Sequence, residues 1–231
     1  MILDYTIFGE RNSGTNYLRK VLQENVNLPF TQVYGFKHWY IKGLLPRWQN
    51  NTTTDNECLK SIEHGSHTLF IHIVRNPFDW SAAMYKKPYH ISESDRTSLL
   101  NFLRSPYLAY EKNQPPNHTV ESKSPWIRDP HTGYFLIEKS ANLITLRNEK
   151  NLHFDMLERK VRYFSIIRLE NLKSDVSDMI NQFDLPLKNT EEIVLNEFRL
   201  PEKYTISEEV KLFIKDQLGN PIDEKLYLKK Q

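Results

Sequence analysis

The sequence predicts an α/β domain of three layers, in which helices flank a mostly parallel central β-sheet. The apolar run TLFIHIV at 68–74 has almost no polar alternation, which is typical of a parallel strand buried on both faces. Apolar runs of strand length also alternate along the chain with segments of helical periodicity, as they do in α/β domains. The 231 residues, of which 39% are hydrophobic, are enough for one substantial core, so we expect a single domain over 1–231.

Four apolar runs predict the strands of this sheet. They are ILDYTIF at 2–8, FTQVYGF at 30–36, TLFIHIV at 68–74 and RYFSIIRL at 162–169. Ligands of such folds bind at the carboxyl ends of parallel strands. The residues that follow the four runs are therefore the first candidates for a functional site.

Apolar residues at helical spacing predict three of the helices. The first helix ends before Pro29, and its apolar positions are Leu18, Val21, Leu22 and Val26. The second ends before Pro186, and its apolar positions are Leu172, Val176, Met179, Ile180 and Phe183. The third begins at the capping pattern Thr205-x-x-Glu208 and turns Val210, Phe213 and Ile214 inward.

The composition excludes several classes of function. A formal net charge of +2 argues against a strongly basic nucleic-acid binder. No apolar run is long enough for a signal peptide or a membrane span, and the single Cys58 cannot form an internal disulfide. We therefore expect a cytoplasmic protein whose partners are neither nucleic acid nor membrane, while its oligomeric state is open.

A loop with two glycines, GERNSGTN at 9–16, follows the first predicted strand and opens the first predicted helix. Backbone N–H groups and the helix dipole bind anions in this context, and the glycine spacing fits a phosphate cradle. A nucleotide-triphosphate loop would have Lys and then Ser or Thr where Thr15 and Asn16 stand, which disfavours a metal-bound triphosphate. Arg11 supplies a fixed positive charge, and neutral donors come from Asn12, Ser13 and Thr15.

Three segments resemble sulfotransferases that use 3′-phosphoadenosine-5′-phosphosulfate (PAPS). RNSGTNYL at 11–18 is similar to the family's Ser-Gly-Thr-Thr-Trp loop for the 5′-phosphosulfate, and IVRNPFDWSAAMY at 73–85 resembles its 3′-phosphate motif, Arg-Asn-Pro-x-Asp followed by Ser and Tyr. IIRLENLKSDVSDMINQFDLP at 166–186 looks like the family's late strand, acidic turn and amphipathic helix. The resemblance extends from about Ile2 to about Pro186.

The resemblance implies a P-loop NTPase-like sulfotransferase fold in a compact single-domain member of the family. It implies transfer of the sulfuryl group of PAPS, without a metal, to a hydroxyl or less often an amine. The acceptor would be a small molecule or a glycan.

The resemblance also assigns the residues around the 5′-phosphosulfate. The loop positions that it implies for this group are Ser13, Gly14, Thr15 and Asn16, and Tyr17 falls where the family has an aromatic residue beside adenine, although an aromatic residue in the first turn of a helix is also ordinary core. The family's lysine before Ser-Gly-Thr aligns with Asn12, which cannot replace a cation. Arg11 is therefore our candidate for stabilising charge on the bridging and leaving oxygens.

Arg75 is the candidate for the 3′-phosphate, because it ends the apolar strand at 68–74 and its guanidinium can form paired hydrogen bonds. An Arg-Asn-Pro turn that merely closes the strand is the structural alternative. The family's serine eight residues later is Ala83 here. Ser81 is a substitute, but two residues apart on a helix means nearly opposite faces. Arg147 is a further candidate cation for this phosphate.

His38 is the candidate general base, since it follows the predicted strand at 30–36 and resembles the family's Lys-x-His in the same place. An imidazole titrates near neutrality and suits this task. Lys37 beside it either helps to hold the sulfate or is solvated. Aromatic residues and histidines near the strand ends are candidates for the acceptor pocket or for the core, namely Trp39, Tyr40, Tyr85, Tyr89, His90 and Trp126.

Two other functions are compatible with the sequence. One is an ATP-dependent P-loop phosphotransferase, which Thr15 and Asn16 disfavour. The other is a nucleotide-binding module without turnover, which Asn12 and Ala83 favour.

Overall fold

The structure is a computed structural model that describes residues 1–34, 37–38, 67–88, 96–111, 135–189 and 204–228. The elements in these residues are, in chain order, β1 (Asp4–Phe8), α1 (Thr15–Asn25), β2 (Thr68–Val74), α2 (Pro77–Lys86), α3 (Leu99–Arg104), β3 (Tyr107–Glu111), β4 (Phe135–Ser140), α4 (Leu143–Glu158), β5 (Tyr163–Arg168), α5 (Leu172–Phe183), α6 (Glu208–Gln217) and α7 (Pro221–Asp223). A 3₁₀ turn, Leu169–Asn171, joins β5 to α5, and a π-helical turn, Glu224–Leu228, follows α7.

Three of these strands form a parallel sheet in the order β1-β2-β5. The register pairs Tyr5 with Leu69 and Ile71 with Ser165, so the central strand β2 is hydrogen-bonded on both sides. Every residue of β2 is buried, as its uninterrupted apolar pattern predicts. Strands β3 and β4 form a separate antiparallel pair.

Helices pack on both faces of the parallel sheet. On one face, Leu69, Ile71 and Ile73 of β2 join a core cluster with the buried residues of α1 and α5. On the other face, Phe70 and Val74 pack with residues of α4, including Phe154 and Leu157, and with Ile222 of α7. The alternation along β2 thus separates two cores, and the chain has the α/β architecture that the sequence predicts.

A further core lies beside the sheet, among α2, α3, α4 and α6. Its fully buried members include Trp80, Leu103, Ile144 and Ile214. Helix α6 contributes Val210 and Ile214, which the sequence predicts to point inward. The cap of α6 differs from the prediction, because Ser207 and not Thr205 accepts a hydrogen bond from the Val210 N–H, at 3.4 Å.

The predicted strand at 30–36 is wrong for the residues that the structure describes. Phe30 forms an isolated parallel bridge with Tyr5, and residues 33 and 34 are in a turn, whereas 35 and 36 lie outside the described residues. Val33 is 69% exposed, so the apolar pattern there does not mark a buried strand. The chain returns to the end of β1 at Lys37, whose carbonyl accepts a hydrogen bond from the Gly9 N–H at 2.9 Å.

Among the described residues, none of the helices combines the length and the apolar character needed to cross a lipid bilayer.

Candidate functional site

The loop between β1 and α1 depends on its two glycines. A Cβ atom on Gly9 would lie 2.5 Å from the Ile73 carbonyl oxygen and 2.7 Å from Ser13 Oγ. Gly14 has φ of 95° and is the N-cap of α1, and a Cβ atom there would lie 2.7 Å from Leu169 Cδ1. The loop is therefore pressed closely against β2 and the turn after β5, and only glycine fits at either position.

Several carbonyl groups of this loop accept hydrogen bonds from the surrounding protein. Ser13 Oγ donates to the Glu10 carbonyl at 2.6 Å. Trp80 Nε1 donates to the Arg11 carbonyl at 2.9 Å, and an Arg75 terminal nitrogen donates to the Asn12 carbonyl at 3.3 Å. These bonds turn the carbonyl dipoles toward the protein, which is the orientation that an anion in the loop requires.

The first turn of α1 carries the polar groups that the sequence assigns to the phosphosulfate. Gly14 has no side chain with which to cap the helix, and no acidic residue lies in the first turn. The first backbone N–H groups of a helix lack partners inside the helix, so this end of α1 has the properties of an anion site. Lys37 Nζ donates a hydrogen bond to Asn16 Oδ1, which places an ammonium group beside the same turn.

Arg75 lies at the carboxyl end of β2, as the sequence predicts, and faces the loop through its bond to Asn12. Only 6% of the residue is exposed. Its Nε atom has no hydrogen-bond partner among the described residues. The ring of Tyr204 lies 5.9 Å from its guanidinium carbon. A buried cation with an unused donor beside a glycine loop is suited to hold an anion.

Helix α2 positions the second motif against the first. Asn76 caps the helix by accepting from the Phe78 N–H at 3.0 Å, and Pro77 begins it. At the other end of α2, Asn12 Nδ2 donates to the Lys87 carbonyl at 3.2 Å and lies 3.1 Å from Met84 Sδ. The two segments that resemble sulfotransferase motifs are therefore in direct contact.

Ser81 is completely buried in α2, and its hydroxyl has no hydrogen-bond partner among the described residues. Ala83 is also buried, and the helix confirms that these two positions point in nearly opposite directions. Ser81 as a substitute for the family's serine stays a prediction.

Arg11 extends from the loop toward the core that lies beside the sheet, among α2, α3, α4 and α6. One of its terminal nitrogens donates to the Tyr107 hydroxyl at 2.7 Å. Tyr107 is 3% exposed and belongs to the core that contains Trp80. This bond holds the guanidinium against the core that lies beside the sheet.

His38 lies against the same loop, although the strand predicted to present it is not formed in the described residues. Its Nδ1 atom is 2.8 Å from the Gly9 carbonyl oxygen. A carbonyl oxygen only accepts, so Nδ1 carries the proton, and a neutral His38 has its lone pair on Nε2. Burial lowers the pKa of His38 to about 4, opposed by the bond to Gly9 and reinforced by the charges of Lys37, Arg11 and Lys150. The imidazole is therefore neutral at pH 7 and can accept a proton at Nε2.

Lys150 is a residue of the site that the sequence reasoning missed. It reaches from α4 to the His38 carbonyl at 3.0 Å and lies 3.4 Å from Glu10 Oε1. The spacing of residues along α4 could have indicated its burial. Lys150 lies four residues after Leu146 and four before Phe154, both buried, and so falls on the inward face of the helix. A charged residue in such a position usually has a specific partner.

Arg147 does not belong to the candidate site. Its guanidinium is fully buried and forms two 2.6 Å hydrogen bonds to the Asp223 carboxylate. It also donates to the Arg75 carbonyl at 2.7 Å and lies 4.9 Å from the Trp80 ring. With its charge neutralised by Asp223, Arg147 supports the backbone of Arg75 and is not available to a phosphate, contrary to the expectation from the sequence.

The residues predicted for the acceptor pocket are described only in part. Tyr85 is half-buried, packs in a tilted geometry on Phe102 at 5.6 Å and donates to the Arg96 carbonyl at 3.4 Å. Tyr17 is half-buried and packs against the core shared by α1 and α5, so its role beside adenine stays a prediction. The other candidates lie outside the described residues, namely Trp39, Tyr40, Tyr89, His90 and Trp126.

His72, another histidine of the chain, lies inside β2. It is 1% exposed and stacks on Phe154 with ring centroids 4.0 Å apart. Burial lowers its pKa to about 3, and electrostatic interactions with Arg147 and His153 act in the same direction. A group enclosed by the sheet and α4 cannot reach an acceptor in the loop region.

A groove of about 410 Å³ lies elsewhere, along β5 and α5. Arg168 and Asp175, which form a bidentate ion pair at 2.7 and 2.9 Å, are part of its wall. Because β5 is separated from β1 by β2, this groove lies at the edge of the sheet opposite to β1.

Comparisons of the chain with models of known families, with curated proteins and with solved structures found no match.

Proposed function

We propose that this chain is a sulfotransferase with the P-loop NTPase-like sulfotransferase fold, which moves the sulfuryl group of PAPS to a hydroxyl group. The observation that carries the proposal is the contact between Arg75 and the loop carbonyl of Asn12. It joins the two segments that resemble the nucleotide motifs of this family, although Asn12 and Arg75 are 63 residues apart in the chain.

The nucleotide would lie across the ends of β1 and β2. Its 5′-phosphosulfate would bind to the backbone N–H groups at the start of α1 and to the side chains of Thr15 and Asn16. Ser13, whose hydroxyl donates to the Glu10 carbonyl, would hold the loop in shape. Its 3′-phosphate would bind to Arg75, whose Nε has no partner among the described residues. Arg11 and Lys37 would stabilise the charge that develops on the bridging and leaving oxygens. The acceptor, a small molecule or a glycan, would approach from the side of His38.

In the transfer step the acceptor oxygen forms a bond to sulfur while the bond between sulfur and the bridging phosphate oxygen breaks. The products are a sulfate ester and adenosine 3′,5′-bisphosphate. The hydroxyl proton passes to Nε2 of His38, the nitrogen that the bond between Nδ1 and Gly9 leaves as the acceptor. No metal is needed, because the leaving group carries its charge on oxygens that face Arg11, Lys37 and the helix.

An ATP-dependent phosphotransferase is the second candidate, since a glycine loop between a parallel strand and a helix also occurs in enzymes of that class. Thr15 and Asn16 stand where that class has Lys and Ser or Thr, and this argues against it. A nucleotide-binding module without turnover is a third candidate, which Asn12 and Ala83 favour.

The activity is tested by incubating the protein and EDTA with PAPS labelled in its sulfuryl group and a panel of hydroxyl and amine acceptors. We expect labelled product, and His38→Ala should lower kcat by about 10²–10⁴-fold, the usual contribution of general-base catalysis. The matched control is His67→Ala, an exposed histidine bound to the Met1 carbonyl, which should leave kcat unchanged.

Wild-type turnover in His38→Ala would exclude this residue as the base. Absence of labelled product over the whole panel, with nucleotide binding intact, would favour the module without turnover.

A further inference from the structure

A buried charge cluster connects α4 to the loop and to the candidate base. Lys150 is 2% exposed and Glu10 is 5% exposed. The Lys150 ammonium lies 3.4 Å from Glu10 Oε1 and donates a hydrogen bond to the backbone carbonyl of His38 at 3.0 Å. One side chain from α4 thus contacts two segments that are distant in the chain.

The charge balance explains how Lys150 can be buried, because an isolated ammonium group in a protein interior is strongly unfavourable and the Glu10 carboxylate compensates it. At 3.4 Å this contact is an ion pair and not a short hydrogen bond. The shorter contact of Lys150 is the one to His38. The ammonium is therefore anchored by Glu10 and directed at the backbone of the candidate base.

Further bonds link the same two segments. The Gly9 N–H donates to the Lys37 carbonyl at 2.9 Å, and His38 Nδ1 donates to the Gly9 carbonyl at 2.8 Å. Gly9 precedes Glu10, and Lys37 precedes His38, so Lys150 completes a closed set of contacts around the end of β1. We expect the direction of the His38 ring relative to the loop at 9–16 to depend on this set.

We propose that Lys150 is a positioning residue for the sulfuryl transfer, which holds His38 against the loop so that Nε2 points toward the acceptor. The inference rests on the proposed function. The alternative is that Lys150 serves only to neutralise Glu10.

The double variant Glu10→Gln/Lys150→Met separates the two roles, because it removes both members of the ion pair together. If Lys150 positions His38, the double variant should retain its melting temperature and bind adenosine 3′,5′-bisphosphate within about threefold of wild type. Its kcat should fall by about 10²-fold, the scale expected from a small misplacement of a catalytic group. The exposed Lys160→Met is the matched control for the lysine substitution itself.

The NMR signals of the His38 ring give a readout that does not require activity. In wild type we expect one fixed tautomer with the proton on Nδ1. In the double variant the ring should lose this preference, and its titration midpoint should rise from about 4 toward 6.5. Because the Lys150 charge itself lowers the His38 pKa, part of this rise follows from the lost charge alone, and release of the ring is therefore judged from the tautomer.

Wild-type kcat together with the wild-type His38 tautomer in the double variant would overturn the proposal. If the wild-type protein transfers no sulfuryl group, the proposed function fails, and the positioning role is then decided by the His38 tautomer alone. If the double variant does not fold, Lys150→Arg replaces it. That variant keeps the charge beside Glu10 but alters the donor geometry, so it should lower kcat and shift the titration, and wild-type values for both would overturn the proposal.

Discussion

Arg75 and Arg147 show how the environment of a single residue decides its role. Both guanidinium groups are buried, and the two residues lie in contact, since Arg147 donates to the Arg75 carbonyl at 2.7 Å. Arg147 is neutralised by Asp223, whereas Arg75 Nε has no partner among the described residues. The position of Arg75 after an apolar strand could be predicted from the sequence. The role of Arg147 could not, because Asp223 is 76 residues away in the chain.

Arg75→Ala should selectively weaken binding of nucleotides with a 3′-phosphate. We expect a loss of about 1.5–3 kcal/mol for adenosine 3′,5′-bisphosphate, the scale of a hydrogen bond to a charged group, and little change for adenosine 5′-phosphosulfate. Isothermal titration calorimetry measures both. The matched control is Arg168→Ala at the end of β5, where Asp175 binds the guanidinium, and it should leave both affinities unchanged. Equal losses for both nucleotides in Arg75→Ala would remove this residue from the 3′-phosphate site.

His38 should remain neutral well below the usual pH range of histidine. Burial lowers its pKa to about 4, so protonation, and with it loss of the base, should begin only near that pH. In the free protein, an NMR titration should place the His38 midpoint near 4, with the signal assigned from its absence in His38→Ala. The acid limb of kcat/KM for PAPS should follow the same midpoint. A midpoint near the ordinary histidine value of about 6.5 would mean that the ring is exposed and not held against Gly9.

At the scale of elements, the strand, loop and helix at 4–25 form the unit that positions the site. The strand and the helix of this unit could be predicted from the sequence. Gly9 directly follows the apolar run of β1, and the helical periodicity of α1 stops before Pro29. The strand predicted at 30–36 was wrong because apolar residues at the edge of a sheet are not all buried, as Val33 shows. His38 still lies beside the loop, because the Gly9 backbone bonds to the Lys37 carbonyl and to the His38 ring. No pattern in the sequence predicts these two contacts.

Gly9→Ala should destabilise the protein because its new methyl group meets backbone that cannot move aside. The Ile73 carbonyl oxygen would be 2.5 Å away, and we expect a loss of roughly 1–3 kcal/mol in the free energy of unfolding, as for overpacked cores. Gly219→Ala is the matched control, because no atom of the described residues lies within 4 Å of the point that its methyl carbon would occupy. It should change stability by less than about 0.5 kcal/mol, and urea denaturation of both variants measures the difference. Equal stabilities would show that the loop is not packed closely against β2.

At the scale of the whole molecule, the site is assembled where β1 and β2 end and where α2 and α4 pack beside them. The parallel order of the strands brings the loop and Arg75 together, and this part could be predicted from the buried apolar pattern of β2. The contribution of α4 could not, because its inward face combines apolar residues with Arg147, Lys150 and Asn151. A mixed face of this kind lacks the clear hydrophobic stripe from which helices are predicted.

The central claim, that the loop holds a 3′-phosphorylated nucleotide and not a metal-bound triphosphate, is tested most directly by calorimetry with two ligands. Adenosine 3′,5′-bisphosphate should bind in the presence of EDTA, and more tightly than ATP binds with Mg²⁺, because Thr15 and Asn16 replace the lysine and hydroxyl that a triphosphate loop uses. Tighter binding of ATP that disappears when Mg²⁺ is removed would contradict this claim and favour a phosphotransferase.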